Sequence, residues 1–326
     1  MKLSYLFTDG MVLQAKKPVR LFGTGKGELK VKFLGKDYRF IIEKNAWFVE
    51  LDSFDYGGPY TMTLSLNGKE KTIQNVCIGE VLLCIGQSNM GFTLEEEKSD
   101  TDETLGDKIR LFVVDSIEKK PLGHTDGWLA CDSEKSKYFS ALAYHIAEKV
   151  HEEKNCHVGC LCCYQGASNI QSWIKKQYLT KDTFVPLNER DMGVVAEPYS
   201  AWTADGIIYK KSFKYALDYL VSTAIWYQGE SNTSKSEGLV YEKLLKQFVK
   251  CVRRESKNED LPFIIVQICD YVYRNDEFWR GIQEVQSRAD AFLENAKVVT
   301  SSDVCEHLSI HPENKKELAK KIAKLL

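Results

Sequence analysis

At 326 residues, with 44% hydrophobic and 28% charged side chains, the chain is long enough for one large globular domain, or a large domain with a small one. Its formal charge of −2, without a basic patch or a nucleic-acid-binding motif, argues against a nucleic-acid partner. No stretch is long and apolar enough to span a bilayer, and Met1-Lys2-Leu3-Ser4-Tyr5-Leu6-Phe7 lacks a signal-peptide core, so no membrane association is expected.

Taken in order, residues to about 74 read as short strands. Residues 29–33 and 60–66 alternate apolar with polar, and 47–51 does so imperfectly. Glycine-containing turns separate them, and Asn67-Gly68 between alternating arms is a strong hairpin signal. This spacing predicts a small antiparallel sandwich over 1–75. Sugar binding, packing and dimerisation are all open to it, so a homo-oligomer is compatible with the sequence.

From Val76 the pattern changes. Apolar runs at 81–85, 158–163, 221–226, 263–268 and 297–301 alternate with helical stretches near 141–153, 239–255 and 278–293, and with a last helix after Pro312. Residues 105–115 add a further strand. The alternation predicts an α/β fold over 76–326: a flavodoxin-like parallel sheet covered by helices on both faces. Residues 174–209, with Pro186, Gly193, Pro198 and Gly206, read as a long ordered loop roofing the strand ends. In the lysine-rich tail, Lys315, Lys316, Lys320, Lys321 and Lys324 alternate with Leu318, Ala319, Ile322 and Leu325, the period of an amphipathic helix with a solvated face.

Of the ten cysteines, Cys77, Cys84, Cys160, Cys162, Cys163 and Cys269 lie in apolar runs, where cysteine acts as a small hydrophobe. Cys160 and Cys163 have metal-like spacing, but no second pair completes a zinc set and strand alternation points them apart. Reduced structural thiols, a cytoplasmic location and no bound metal or cofactor are therefore expected.

Parallel strands bring their carboxyl ends to one edge. After the first run come Gly86, Gln87, Ser88 and Asn89; after the next, Gly166, Ala167, Ser168 and Asn169. Then follow Gln228, Gly229, Glu230, Ser231 and Asn232, and finally Asp303, Glu306, His307 and His311. Each group alone has a plainer reading. Gln87 and Asn89 suit helix caps, Gly229-Glu230 suits a turn, and His311 before Pro312 suits a helix entry. His307 and His311 have the spacing of a metal pair, against which Pro312 argues. Together they are the parts of a serine hydrolase: nucleophile, imidazole base, carboxylate and oxyanion donors.

The chain resembles the sialate O-acetylesterase-like branch of the SGNH (GDSL-type) hydrolases, related to acetylxylan esterases. Gly86-Gln87-Ser88-Asn89-Met90 and Trp226-Tyr227-Gln228-Gly229-Glu230-Ser231-Asn232 are its most specific blocks. Phe7-Thr8-Asp9-Gly10-Met11-Val12-Leu13-Gln14, Gly79-Glu80-Val81 and Ile310-His311-Pro312 with Lys315 extend it through nearly the whole chain.

The resemblance implies Ser88 as nucleophile and His311 as general base. It implies oxyanion donors from the backbone of Ser88 and Gly166 and from the 228–232 loop, with Gln87, Gln228 and Asn232 as oxyanion or substrate-binding candidates. Ala167 departs from the family's double glycine. Leu308 stands where many relatives carry an aspartate three residues before the histidine, so Glu230 is the expected acid and Asp303 the alternative.

The implied substrate is an acetylated carbohydrate: a sialate 9-O-acetyl ester, or acetylated xylan or another glycan. A non-catalytic carbohydrate-binding protein on the same fold is the rival reading. Trp173, Tyr199 and Trp202 are candidates for stacking on sugar rings or for packing.

Overall fold

The computed structural model describes residues 2–114, 127–132, 134–190, 202–274 and 276–326. The first segment carries β1 (Lys2–Leu3), β2 (Val12–Gln14), β3 (Pro18–Thr24), β4 (Gly27–Phe33), β5 (Lys36–Ile42), β6 (Ala46–Ser53) and β7 (Gly57–Leu66). In β4 the apolar alternation does its work: Leu29, Val31 and Phe33 are buried, while Lys30 and Lys32 face outward. Asn67 (φ 52°) and Gly68 (φ 78°) close a two-residue hairpin into β8 (Lys69–Gly86). Two consecutive left-handed residues match the twist of the arms, which is why Asn-Gly serves there.

The strands of this segment fall into two sheets. Strands β1, β3 and β6 form one; β4, β5 and β7 join a larger sheet through β8. Strand β8 itself is continuous across residues 75 and 76. Its first half pairs antiparallel with β7, and from Gly79 onward it is flanked by parallel strands. Two contacts tie the segments together: Gln14 Oε1 accepts the Val81 N–H at 2.8 Å in the core, and Glu80 accepts the half-buried Tyr56 hydroxyl at 2.5 Å.

After β8 come α1 (Ser88–Gly91), α2 (Leu94–Glu97), β9 (Ile109–Val113), β10 (Leu129–Ala130), α3 (Ala141–Lys154) and β11 (His157–Tyr164). Then follow α4 (Ile207–Lys211), β12 (Thr223–Tyr227), α5 (Lys235–Gly238), α6 (Tyr241–Glu255) and β13 (Phe263–Val266). The chain closes with α7 (Glu277–Ser287), β14 (Ala296–Val299) and α8 (Lys316–Ala323). The sheet order is β10-β9-β11-β8-β12-β13-β14, all parallel except β10, which is antiparallel to β9.

Residues 76–86 are all buried because helices cover both faces, and a strand wet on neither side can be continuously apolar. Leu83, Ile85, Cys163 and Trp226 share a core with α6, α7 and the first segment; Leu82, Cys84, Cys160 and Ile225 pack with α3 and α8. Cys160 and Cys163 thus lie on opposite faces, and all ten cysteines are buried free thiols.

From β8 the chain crosses to β9, returns to β11 on one side, and then passes to β12 on the other. The end of β8 is therefore the topological switch point, where open α/β sheets form their crevice.

The helix after Ser88 is a single turn, so its dipole adds little at the serine. The described part of the 174–209 segment is a chain of short 3₁₀ turns (Lys176–Tyr178, Lys181–Thr183, Leu187–Glu189) leading to α4; Gly193, Pro198 and Tyr199 lie outside the described residues, as does Asp115. The tail helix starts at Lys316 rather than at Pro312, so His311 is not a helix-entry residue.

Candidate active site

Gly86 turns the chain out of β8. Its φ is 151°, and a Cβ there would lie 2.0 Å from the carbonyl oxygen of Tyr227 on the neighbouring strand. Only glycine allows that approach. The Gln87 N–H then donates to the same carbonyl at 3.1 Å, and Ser88 starts α1. The Gln87 side chain makes no capping bond, so the plainer reading of that amide fails.

His311, from the loop after β14, meets the serine: its Nε2 stands 2.7 Å from Ser88 Oγ. The His311 N–H donates to Ser309 Oγ at 3.0 Å, and its ring lies 6.2 Å from that of Phe92. Burial, and then the charge of Lys315, hold its pKa below the ordinary histidine value, so the imidazole is neutral near pH 7. No described residue hydrogen-bonds its Nδ1.

Beside the serine are two spare donors. The backbone N–H groups of Ser88 and Gly166 have no acceptor among the described residues. A Cβ on Gly166 would sit 3.7 Å from Ser88 Cβ, which measures how closely the second strand-end loop approaches. The Gln165 N–H donates to Gly86 O at 3.0 Å and fixes that approach. Ala167 has φ 54°, the left-handed region that costs a side-chain-bearing residue strain and that a glycine would adopt freely.

The other amides expected at the site are placed elsewhere. Gln228 Nε2 donates to Ser168 O at 2.9 Å and to Asn232 Oδ1 at 2.8 Å. Asn232 accepts from the Ile170 N–H at 2.9 Å and donates to Gln171 at 2.8 Å and Glu237 at 2.9 Å. Both side chains are buried and fully engaged in stitching loops together, which corrects their assignment as oxyanion or substrate donors. Gln87 is different: its Oε1 receives the Gly229 N–H at 3.4 Å, and its Nε2 keeps no protein acceptor among the described residues.

The two candidate acids are separated just as clearly. Asp303 is 63% exposed in its side chain and paired with Lys321 at 2.7 Å, away from His311, which corrects the alternative. Glu306 accepts the Glu313 N–H. Glu230 is buried, and its Oε1 accepts from Asn89 Nδ2 at 2.6 Å. The same Asn89 Nδ2 donates to the carbonyl of Ile310, next to His311, at 2.9 Å. Glu230 therefore reaches the histidine loop through an amide, not by direct contact. Burial raises its pKa against the opposing Asn89 bond and Lys315 charge, and its Oε2 is buried without a partner among the described residues.

Lys315 completes the cluster. Its Nζ donates to Asn89 Oδ1 at 2.8 Å, and its side chain is fully buried. Its place among the tail lysines predicts a solvated face; instead it precedes α8 and is fully buried, because the fold turns it onto Asn89. His307 lies 3.7 Å from Asp270 while His311 is spent on Ser88, so the two histidines do not act as a pair. Trp173 and Trp202 are buried, Trp173 donating to Ser168 at 3.0 Å; Tyr199 lies outside the described residues. Among the exposed apolar groups of the described residues are Val272, Tyr273 and Leu308, on two loops joined by Val272 N–H to His307 O at 3.0 Å.

A serine hydrogen-bonded to a histidine beside spare backbone donors, at the switch point of a parallel sheet, has the parts of a serine-hydrolase site. A family model described as carbohydrate esterase, sialic acid-specific acetylesterase matches residues 79–326, and the chain belongs to that family. It is 22% identical over 335 residues to the sialate O-acetylesterase of Mus musculus, covering 84% of this chain and 61% of that protein. Against the Homo sapiens sialate O-acetylesterase it is 23% identical over 315 residues, covering 84% and 58%. The chain thus spans about three fifths of these relatives' length. A crystal structure of a carbohydrate acetylesterase from Xanthomonas citri matches with a TM-score of 0.83 at 24% identity, over 99% of this chain and 73% of that one, which shows a shared fold.

Proposed function

We propose that the protein is a carbohydrate O-acetylesterase that removes acetyl groups from sugar hydroxyls through a serine acyl-enzyme. The observation that carries this reading is the 2.7 Å contact between His311 Nε2 and Ser88 Oγ beside two unengaged backbone N–H groups. Family membership supports an acetylated sialic acid as substrate, and within that class we propose the 9-O-acetyl ester, with acetylated xylan or another glycan ester as the alternative.

In this mechanism Ser88 Oγ attacks the acetyl carbonyl as His311 Nε2 takes its proton. Charge developing on the carbonyl oxygen is met by the N–H groups of Ser88 and Gly166, each such donor commonly worth about 3 kcal/mol. The imidazolium returns the proton to the departing sugar oxygen, and the acetyl-serine forms. Water activated by the neutral imidazole then releases acetate. Glu230 supports His311 indirectly, through Asn89 and the Ile310 carbonyl. Exposed Tyr273 and Leu308 offer apolar surface for a sugar ring at the rim. The reading takes 1–75 as a β unit preceding an SGNH-type unit over 76–326, in a cytoplasmic protein.

Acetate release from acetylated sialic acid, acetylated xylan fragments and a chromogenic acetate tests it. Release from any of them supports an esterase and ranks the substrates. Sugar binding without release from any would mean a carbohydrate-binding protein instead.

A further inference from the structure

We infer that Lys315 is a positioning residue for the catalytic pair, acting through Asn89 to lock the loop that carries His311 onto the turn that carries Ser88. The inference rests on reading those two residues as the catalytic pair.

The argument begins with cost. A lysine side chain with no solvent exposure is expensive unless its charge is answered. Among the described residues no carboxylate lies within ion-pair distance of its Nζ. The ammonium instead donates to Asn89 Oδ1 at 2.8 Å and rests over the Phe92 ring, 4.9 Å from its centre. The buried carboxyl of Glu230 stands one amide away, 2.6 Å from Asn89 Nδ2. Asn89 thus separates a buried cation from a buried acid and bonds to both.

Hydrogen-bond chemistry then fixes which way the amide points. An ammonium only donates, so the Asn89 oxygen must face Lys315. That orientation aims Nδ2 at Glu230 and at the Ile310 carbonyl, 2.9 Å away. Asn89 follows Ser88 in the chain and Ile310 precedes His311, so one oriented amide couples the neighbours of nucleophile and base. Lys315 is held at its other end too: its backbone N–H donates to Glu97 Oε1 at 2.6 Å, and Glu97 Oε2 sits 2.7 Å from His145 Nε2 in a buried pair. Removing the ammonium leaves the buried Asn89 Oδ1 without this donor, so the amide keeps only its Nδ2 bonds to Glu230 and Ile310 O and can shift out of its present position. Displacements of about 1 Å in a reacting pair can cost 10²-fold in rate.

A structural lysine and a positioning lysine differ in what their removal does to the base. The charge of Lys315 is one of the two causes that hold the His311 pKa down. Lys315→Met keeps the bulk and deletes the charge. The rate profile of that variant on a chromogenic acetate, across pH, tests the inference. We expect kcat to fall about 10²-fold with KM within about twofold, and the acid limb to move to higher pH. If the single variant does not fold, Lys315→Met with Glu230→Gln is compared with Glu230→Gln alone, and the further fall in kcat and the shift of the acid limb between the two are read in the same way. An unchanged kcat, or a lower kcat with the acid limb unmoved, overturns the inference. Wild-type protein that neither hydrolyses the acetate nor labels with a fluorophosphonate overturns the functional reading instead.

Discussion

Asn89 donates to Glu230 across 2.6 Å, while Asp303 turns outward to Lys321 at 2.7 Å; the buried acid and the histidine-loop acid therefore have unrelated environments. Substitution separates them. Asp303→Asn should leave kcat/KM within about twofold, because it loses only an exposed ion pair. Glu230→Gln should lower kcat about 10–10²-fold, less than the roughly 10⁴-fold of an acid bonded directly to the histidine. Steady-state kinetics on a chromogenic acetate decides, and equal effects would contradict the placement.

The histidine sets the pH dependence. Its pKa is held below the ordinary 6.5, so the basic, neutral form persists into mildly acid solution. The profile of kcat/KM should be flat near neutrality, with its acid midpoint below pH 6.5. The sign for stability is the same: an unfolded chain binds this proton first as pH falls, so the contribution is present above 6.5 and lost on acidification through the folded value. An acid midpoint above 6.5 assigned to His311 contradicts the account.

Ala167 carries backbone strain beside Gly166, with φ 54°. Ala167→Gly should raise stability by up to about 1 kcal/mol, the strain relieved outweighing glycine's extra chain entropy. A denaturant midpoint that falls on this change would contradict that balance.

Tyr273 is 74% exposed on the loop bonded to His307 O. Tyr273→Ala should raise KM several-fold more for an acetylated oligosaccharide than for a chromogenic acetate, since only the former has a sugar ring to stack, worth about 1 kcal/mol. Equal changes on both substrates would remove the tyrosine from sugar contact.

Much of this was legible in the chain. Period-2 alternation located β4, β6 and β7, and continuous apolar runs located β8, β11 and β12, because burial on one face or on two leaves different residue patterns. Placing strand ends on one edge brings Ser88 together with His307 and His311 as candidates; the family resemblance chooses His311, whose Nε2 stands 2.7 Å from Ser88 Oγ. What escaped was decided by side-chain partners, which periodicity does not encode. Gln228 and Asn232 have the composition of a binding loop yet bond to Ser168, Ile170, Gln171 and Glu237. Lys315 sits in a tail whose lysines otherwise face water, and only the fold turns it inward onto Asn89. After Ser88 the chain leaves α1 after one turn and recaps at Thr93 for α2, a break that periodicity does not mark.

The central claim is that Ser88 is the nucleophile and His311 its base. Fluorophosphonate labelling of the folded protein followed by peptide mass spectrometry tests it most directly, run beside acetate release by wild type and Ser88→Ala. The account predicts one adduct, on Ser88, slowed by His311→Ala, with acetate release falling about 10⁴-fold or more in Ser88→Ala. An adduct on another residue, or full acetate release by Ser88→Ala, contradicts it.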